Sequence, residues 1–116
     1  MLVNLESDET MKSVEGILRE ELKRLGETEK SYRREIRKLP RGSIQPKKIK
    51  GVVYPYLAFR KGRMVVSQYL GRLSKGDLEA LRKGIELRVR YQRLLSEVRR
   101  NRSRIERMIR GKRNSV

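Results

Sequence analysis

The chain is expected to fold as α+β, with two long antiparallel helices in a coiled-coil-like hairpin flanking a small antiparallel β-sheet. Three observations point there. Apolar residues recur at seven-residue spacing over 9–39 and again over 75–110. Between those stretches, β-branched and aromatic residues gather around two turn signals, Lys50-Gly51 and Lys61-Gly62. Only 36% of the 116 residues are hydrophobic, which suits a thin seam between paired helices better than a thick core. At this length one domain spanning 1–116 is the natural expectation.

Ser7 or Asp8 can cap a first helix over 9–39. Pro40 stops it, because proline lacks an amide donor and disfavours helix at the preceding residue. Met11, Leu18, Leu25, Tyr32 and Leu39 form one heptad row. Leu22 and Ile36 fill the intermediate position, with Val14 and Ile17 alongside. Glu15–Arg19, Glu20–Arg24 and Glu29–Arg33 sit four apart in the favourable order, as surface charges. Gly16 and Gly26 each weaken the helix by about 1 kcal/mol relative to Ala.

Residues 43–72 read as a two- or three-stranded basic sheet. If both turns hold two residues, Ile44, Val53, Leu57, Phe59, Met64, Val66 and Leu70 share a core face. Lys47, Tyr54, Tyr56, Ala58, Arg60, Arg63, Val65, Ser67 and Tyr69 then share a wet face. A three-residue loop with a bulge at Gly62 is the alternative, since Lys is disfavoured at positive φ; it would mix the faces. Pro55 removes a ladder donor, so its strand is expected to be an edge, to be bulged, or to pair on one side only.

Ser74-Lys75-Gly76-Asp77 reads as a capping box with Asp in place of Glu, opening a second helix over 75–110. Ala80, Leu87, Leu94 and Met108 take one heptad row; Tyr91, Val98 and Ile105 take the other. Leu78, Leu81, Ile85 and Leu95 widen the stripe, and Asn101 interrupts it, a device that can fix register. Gly111 is expected to end the helix, leaving 111–116 as a basic tail.

Charge indicates the partner. The chain carries +17, so it repels itself unless an anion compensates. All fourteen acidic residues lie outside 41–73, and that window carries +8. It also holds three of the five tyrosines and the one phenylalanine. Cations beside stackable rings suit a polyanion with bases. The candidate nucleic-acid contacts are Arg41, Lys47, Lys48, Lys50, Arg60, Lys61, Arg63 and Arg72, with Tyr54, Tyr56 and Tyr69. Arg99, Arg100 and Arg102 of the arginine-rich second helix join them. A plainer reading makes the lysines and arginines guards of an exposed edge. The missing carboxylates count against it, because either sign would guard an edge.

The expected function is therefore non-catalytic nucleic-acid binding, with duplex DNA ranked ahead of RNA because a sheet fits a B-form groove. The alternatives are an RNA- or ribosome-associated protein, or a coiled-coil adaptor for an acidic protein. Pairing of two copies through the helices is a second use of the heptads. With no Cys and no His, disulfides, thiolate or imidazole metal sites and histidine-based catalysis are excluded. No phosphate loop of Walker or dinucleotide spacing is present. No cofactor, metal or catalytic residue is expected. No apolar run approaches the roughly 20 residues of a membrane span, so a cytoplasmic protein without membrane contact is expected.

Leu39-Pro40-Arg41-Gly42-Ser43-Ile44, Gly51-Val52-Val53-Tyr54-Pro55-Tyr56-Leu57 and Arg60-Lys61-Gly62-Arg63-Met64-Val65-Val66-Ser67-Gln68-Tyr69-Leu70-Gly71 together resemble a family of small uncharacterised prokaryotic proteins. Their pattern runs L-P-x-G-S-I, a Tyr-rich strand, then S-x-Y-L-G and a charged helix. The resemblance covers about 39–100. It implies an architecture and no activity. Pro55 and Arg63 depart from it, standing where an aromatic residue and Lys are usual. The layout is also similar to the three-stranded sheets at the front of integrases and some transposases.

Overall fold

The computed structural model describes the backbone of residues 2–114 and the side chains of residues 13–111. In chain order these form helix α1 (Leu2–Lys38), strands β1 (Ser43–Ile49), β2 (Val52–Lys61) and β3 (Met64–Tyr69), and helix α2 (Lys75–Asn114). Two helices and one antiparallel sheet of order β1-β2-β3 make the chain α+β. It divides into two compact units. One joins α1 up to Arg34 with α2 from Arg93 onward; the other is 35–92.

Both helices overrun their expected ends. α1 starts upstream of Ser7 and Asp8, so neither caps it. Residues 2–6 contain no Gly or Pro, and an internal Ser or Asp weakens a helix by only about 0.5 kcal/mol. α2 runs through Gly111 to Asn114. A glycine commonly ends a helix by taking positive φ, and Gly111 does not take it. The side chain of Met11 and residues 115 and 116 lie outside the described residues.

Within 35–92, the β1–β2 register follows the expected turn. Ile49 pairs with Val52 across Lys50-Gly51, and Lys47 pairs with Tyr54. The β2–β3 turn sits one residue later than expected. Lys61 pairs with Met64, so the loop is Gly62-Arg63. The reason is glycine's conformational freedom: Gly62 takes φ +65° at the first turn position, and Lys61 stays extended in β2. Each strand shifts by one residue, so the two expected faces survive. Their roles blur, however. On the expected core face, Ile44, Leu57, Phe59 and Val66 are half-buried and Leu70 is buried, but Val53 and Met64 are exposed, Met64 at 71%. On the expected wet face Ala58 is buried.

Pro55 stands in the central strand, neither at an edge nor in a bulge, and its ladder partner is on the β1 side alone, the one-sided pairing among the expected alternatives. Alternation explains how. The two-residue turn at Lys50-Gly51 makes Ile49–Val52 a hydrogen-bonded pair, so Pro46–Pro55 is a non-hydrogen-bonded one. Neither proline faces the other with a missing donor. On the opposite side, Pro55 accepts a bond from the Leu70 amide at 2.9 Å. It can return none, and β3 ends there. The Leu70 carbonyl takes its bond from the Leu73 amide instead, at 3.0 Å. The donor that proline lacks is thus replaced by the turn that leads into α2.

The other strand turn carries a conformational penalty. Lys50 has φ +51°, a region that costs a non-glycine residue roughly 1 kcal/mol and that Asn tolerates better. Lys50→Asn is expected to stabilise the sheet by about 0.5 kcal/mol, read as a higher urea midpoint of the tyrosine signal. A midpoint at or below that of the wild type would contradict this reading of the turn.

The helix ends that enter the sheet unit are fixed by named contacts. Ser74 Oγ accepts the Asp77 amide at 3.1 Å, the N-cap half of the expected box. Arg88 Nη1 donates to the Leu39 carbonyl at 3.2 Å, satisfying a backbone acceptor at the end of α1. Gly84 leaves room for the Pro40 ring, whose Cγ would lie 2.8 Å from a Cβ at that site.

In the helical unit Leu25, Leu95, Val98 and Ile109 are buried, with Leu18, Leu22 and Ile105 half-buried. Glu29 of α1 meets Arg99 and Arg102 of α2, while Leu22 shares a cleft with Glu106 and Ile109. Rising numbers on one helix meet falling numbers on the other, so the segments are antiparallel. Of the two rows expected on α2, Tyr91, Val98 and Ile105 are buried or half-buried as expected, while the other is displaced by one residue. Met108 is 54% exposed, and Ala80 and Leu87 are exposed as well. The buried row is Leu95, Arg102 and Ile109, with Leu81 and Arg88 on the same spacing in the sheet unit. Asn101 therefore does not carry the polar break in the stripe; Arg102 does. On α1, Val14 and Ile17 are exposed. Glu29, expected as a surface charge, is only 6% exposed.

Candidate nucleic-acid interface

The strand register decides which side chains meet. Lys47 lies opposite Tyr54, Gln45 opposite Tyr56, and Tyr56 opposite Tyr69. Period-two alternation puts Lys47, Tyr54, Tyr56, Ser67 and Tyr69 on one face. Their rings gather. The Tyr69 centroid is 5.4 Å from that of Tyr56 and 6.1 Å from that of Tyr54, the latter edge-on. Lys47 reaches across all three strands. Its ammonium sits 4.6 Å from the Tyr56 ring centre and donates to Ser67 Oγ at 3.3 Å. Gly71 completes the cluster by absence of a side chain: the Tyr69 ring occupies the space a Cβ there would fill. Tyr69 is 47% exposed, while Tyr54 and Tyr56 are half-buried. None of the three is fully buried.

The remaining expected contacts scatter around this cluster. Arg60 is on the same face, nearer the other end of the sheet, where Arg41 precedes β1. Lys48 and Lys61 are on the opposite face, and Lys50 and Arg63 occupy the two turns. Arg72 is exposed in the connection to α2. All these cations stand clear of carboxylates, since the ion pairs among described residues involve only Glu15, Glu21, Glu29 and Glu35.

Two of the three expected helical arginines have another occupation. Arg99 Nε is 3.4 Å from Glu29, and Arg102 Nη1 bonds the other oxygen of the same carboxylate. Both belong to the helical seam. Arg100 is exposed and lines a surface cleft with Ser103, Arg104 and Arg107.

Arg88, expected with the other arginines of α2 to surround the apolar stripe, lies within it. It is half-buried, and its guanidinium is held below the ordinary arginine range, first by burial and then by the charge of Arg41. The available signal was its seven-residue spacing from Leu81 and Leu95. Among the described residues no group of three or more acidic, Cys or His side chains is placed to hold a metal ion. No described helix is long and apolar enough to cross a membrane. Comparison with protein-family models, with curated proteins and with solved structures gave no match.

Proposed function

We propose that the protein binds nucleic acid, without catalysing a reaction on it, through the tyrosine-bearing sheet and its cations. The observation that carries this reading is the Lys47–Tyr54–Tyr56–Tyr69 cluster, rings partly open to solvent in a window free of carboxylates. Cations position a phosphate chain; rings and polar edges meet what lies between the phosphates. Duplex DNA is the favoured form. Cations stand on both faces of the sheet and at both turns, and a sheet lodged in the major groove has a phosphate strand on either side. In this reading the two helices act as a coiled-coil-like hairpin flanking the sheet, and a cytoplasmic location goes with the partner.

The test is a titration of fluorescent duplex DNA, single-stranded DNA and structured RNA at several salt concentrations. Contacts by about five of the sheet cations predict a log–log salt slope of roughly −4 to −5 on duplex DNA. Replacing Arg60, Lys61 and Arg63 by Ala is expected to reduce that slope by about 2 to 3. Gly71→Ala displaces the Tyr69 ring and changes no charge. It is expected to weaken binding roughly five- to ten-fold with the slope unchanged. An undiminished slope in the triple variant would move the contact surface to the helices. Absence of binding to all three probes at low salt would leave an acidic protein as the better partner.

A further inference from the structure

Toward the end of the sheet away from the tyrosine cluster, Arg41, Arg60 and Arg88 wall an open cleft of about 450 Å³. We propose that this cleft is a site for one phosphate monoester on a nucleotide-sized ligand. The proposal rests on the nucleic-acid reading for its ligand class; the cleft adjoins the tyrosine cluster on the same sheet face and shares Arg41 and Arg60 with the expected strand contacts, but it takes a distinct chemical group.

Charge comes first. Three arginines line the cleft, the charge of Arg41 reaches Arg88, and no ion pair among the described residues involves any of the three. Glu86, on the same helix as Arg88, lines a different cleft with Arg82 and Ile44. Like charges drawn together without a counter-ion call for an anion from outside. A backbone diester brings one negative charge. A terminal monoester brings about 1.5 to 2 at neutral pH and three acceptor oxygens, the closer match to three arginines.

Preorganisation comes second. Arg88 is half-buried and anchored by its bond to the Leu39 carbonyl, which leaves its other N–H groups to a ligand. Burial, and then the charge of Arg41, hold its pKa below the ordinary arginine range, and an anion in the cleft would oppose both effects. Arg41 and Arg60 are exposed and free to close on a phosphate in the forked geometry guanidinium favours.

The rest of the wall sets the ligand's size. The volume lies within the range of small-molecule sites and far exceeds one phosphate. Val65, Ile85 and Val89 offer apolar surface, and Gln45 and Gln92 offer amides that can both donate and accept. A sugar and base have matching needs. The monoester can come from a free mononucleotide or from the phosphorylated end of a strand.

Calorimetric titration of the full chain with adenosine 5′-monophosphate at fixed ionic strength tests the site, with adenosine and sodium sulfate as separate arms. Measurable binding of the monophosphate, at least ten-fold weaker for adenosine and for sulfate, is expected. Arg60→Gln and Arg41→Gln, both at exposed positions, should each weaken it at least five-fold. Lys83→Gln removes a charge elsewhere on α2 and should not. A 5′-phosphorylated ten-nucleotide single strand should outbind its 5′-hydroxyl twin several-fold, and Arg60→Gln should erase the difference. This arm separates strand ends from free nucleotides. If the monophosphate binds no better than sulfate, or if both arginine variants bind like wild type, the site does not exist. A protein that binds the hydroxyl strand but neither monophosphate nor phosphorylated end would lose this site and keep its nucleic-acid function. Monophosphate binding without strand binding would do the reverse.

Discussion

Glu29→Gln is expected to destabilise the helical unit by about 2 kcal/mol, less than breaking a fully buried pair costs, because its arginine partners stay 36% to 53% exposed. Glu29 is only 6% exposed, yet it holds three arginines. Arg33 lies 2.7 Å away on its own helix; Arg99 and Arg102 reach it from α2. Glutamine keeps the shape and removes the charge. Arg102, whose buried Nε already has no hydrogen-bond partner, would then lose its counter-ion too. Urea unfolding followed by helical ellipticity reads the effect as a lower midpoint. Glu27→Gln deletes the same charge from an exposed position and should change stability by less than about 0.5 kcal/mol. Replacing Glu29 and Arg102 together by leucine should recover most of the loss, because the desolvation cost of the pair disappears with it.

The pH dependence has a defined sign. Burial alone would raise the Glu29 carboxyl, but hydrogen bonds from Arg102 and Arg99, then the charges of Arg102 and Arg33, outweigh it and hold it below the ordinary 4.5. A carboxyl lowered in the folded state contributes fully above its unfolded value. The contribution fades as pH falls through the lower folded value. Wild type and Glu29→Gln should therefore differ most near neutrality and converge in acid. A wild-type midpoint for Glu29→Gln at pH 7 would remove the pair from any structural role.

The same residues show where the sequence was readable. On α1 the row Leu18, Leu25, Tyr32 was visible because each member is apolar or aromatic. Glu29 was not, although it stands seven residues from both Leu22 and Ile36. A charge at a seam position reads as surface until its partner is known, and its partners lie 70 and 73 residues away. On α2 the true row contains Arg88 and Arg102. An apolar template slides past them onto Leu87 and Met108. Arg88 fits its row because it satisfies the Leu39 carbonyl, Arg102 because it satisfies Glu29. The sheet was more legible. Its faces depend on parity, and a turn displaced by one residue moves both strands together. The tyrosines and Lys47 were thus grouped correctly, while the partners across β2 and β3 were not. Pro55 was left with three possible places because the permitted one depends on which pairs are hydrogen-bonded; the register selects pairing on one side only.

Gly42→Ala is expected to have an effect of similar size in the sheet unit, about 3 kcal/mol. Two causes combine. Gly42 has φ +103°, outside the range side-chain-bearing residues readily adopt. A Cβ there would also stand 2.5 Å from the Ala58 carbonyl oxygen and 3.1 Å from both Leu57 Cδ1 and Phe59 Cβ. The obstacle is backbone in the central strand, at the residue that pairs with Ser43, so it cannot swing aside as a side chain could. Relief requires β1 to part from β2 at its first pair. Gly62→Ala is the comparison. Gly62 also has positive φ but faces open space, so only the backbone term of about 1 kcal/mol applies. Trypsin should cut Gly42→Ala faster than wild type at Lys47 and Lys48, with Gly62→Ala in between. Equal rates for the two glycine variants would show that the close approach to Ala58 is not limiting. The consequence reaches the arginine cleft, because Gly42 lines it and joins Arg41 to β1. The glycine between Arg41 and Ser43 thus sets the entry of β1, and with it the direction from which one of the three arginines enters the cleft.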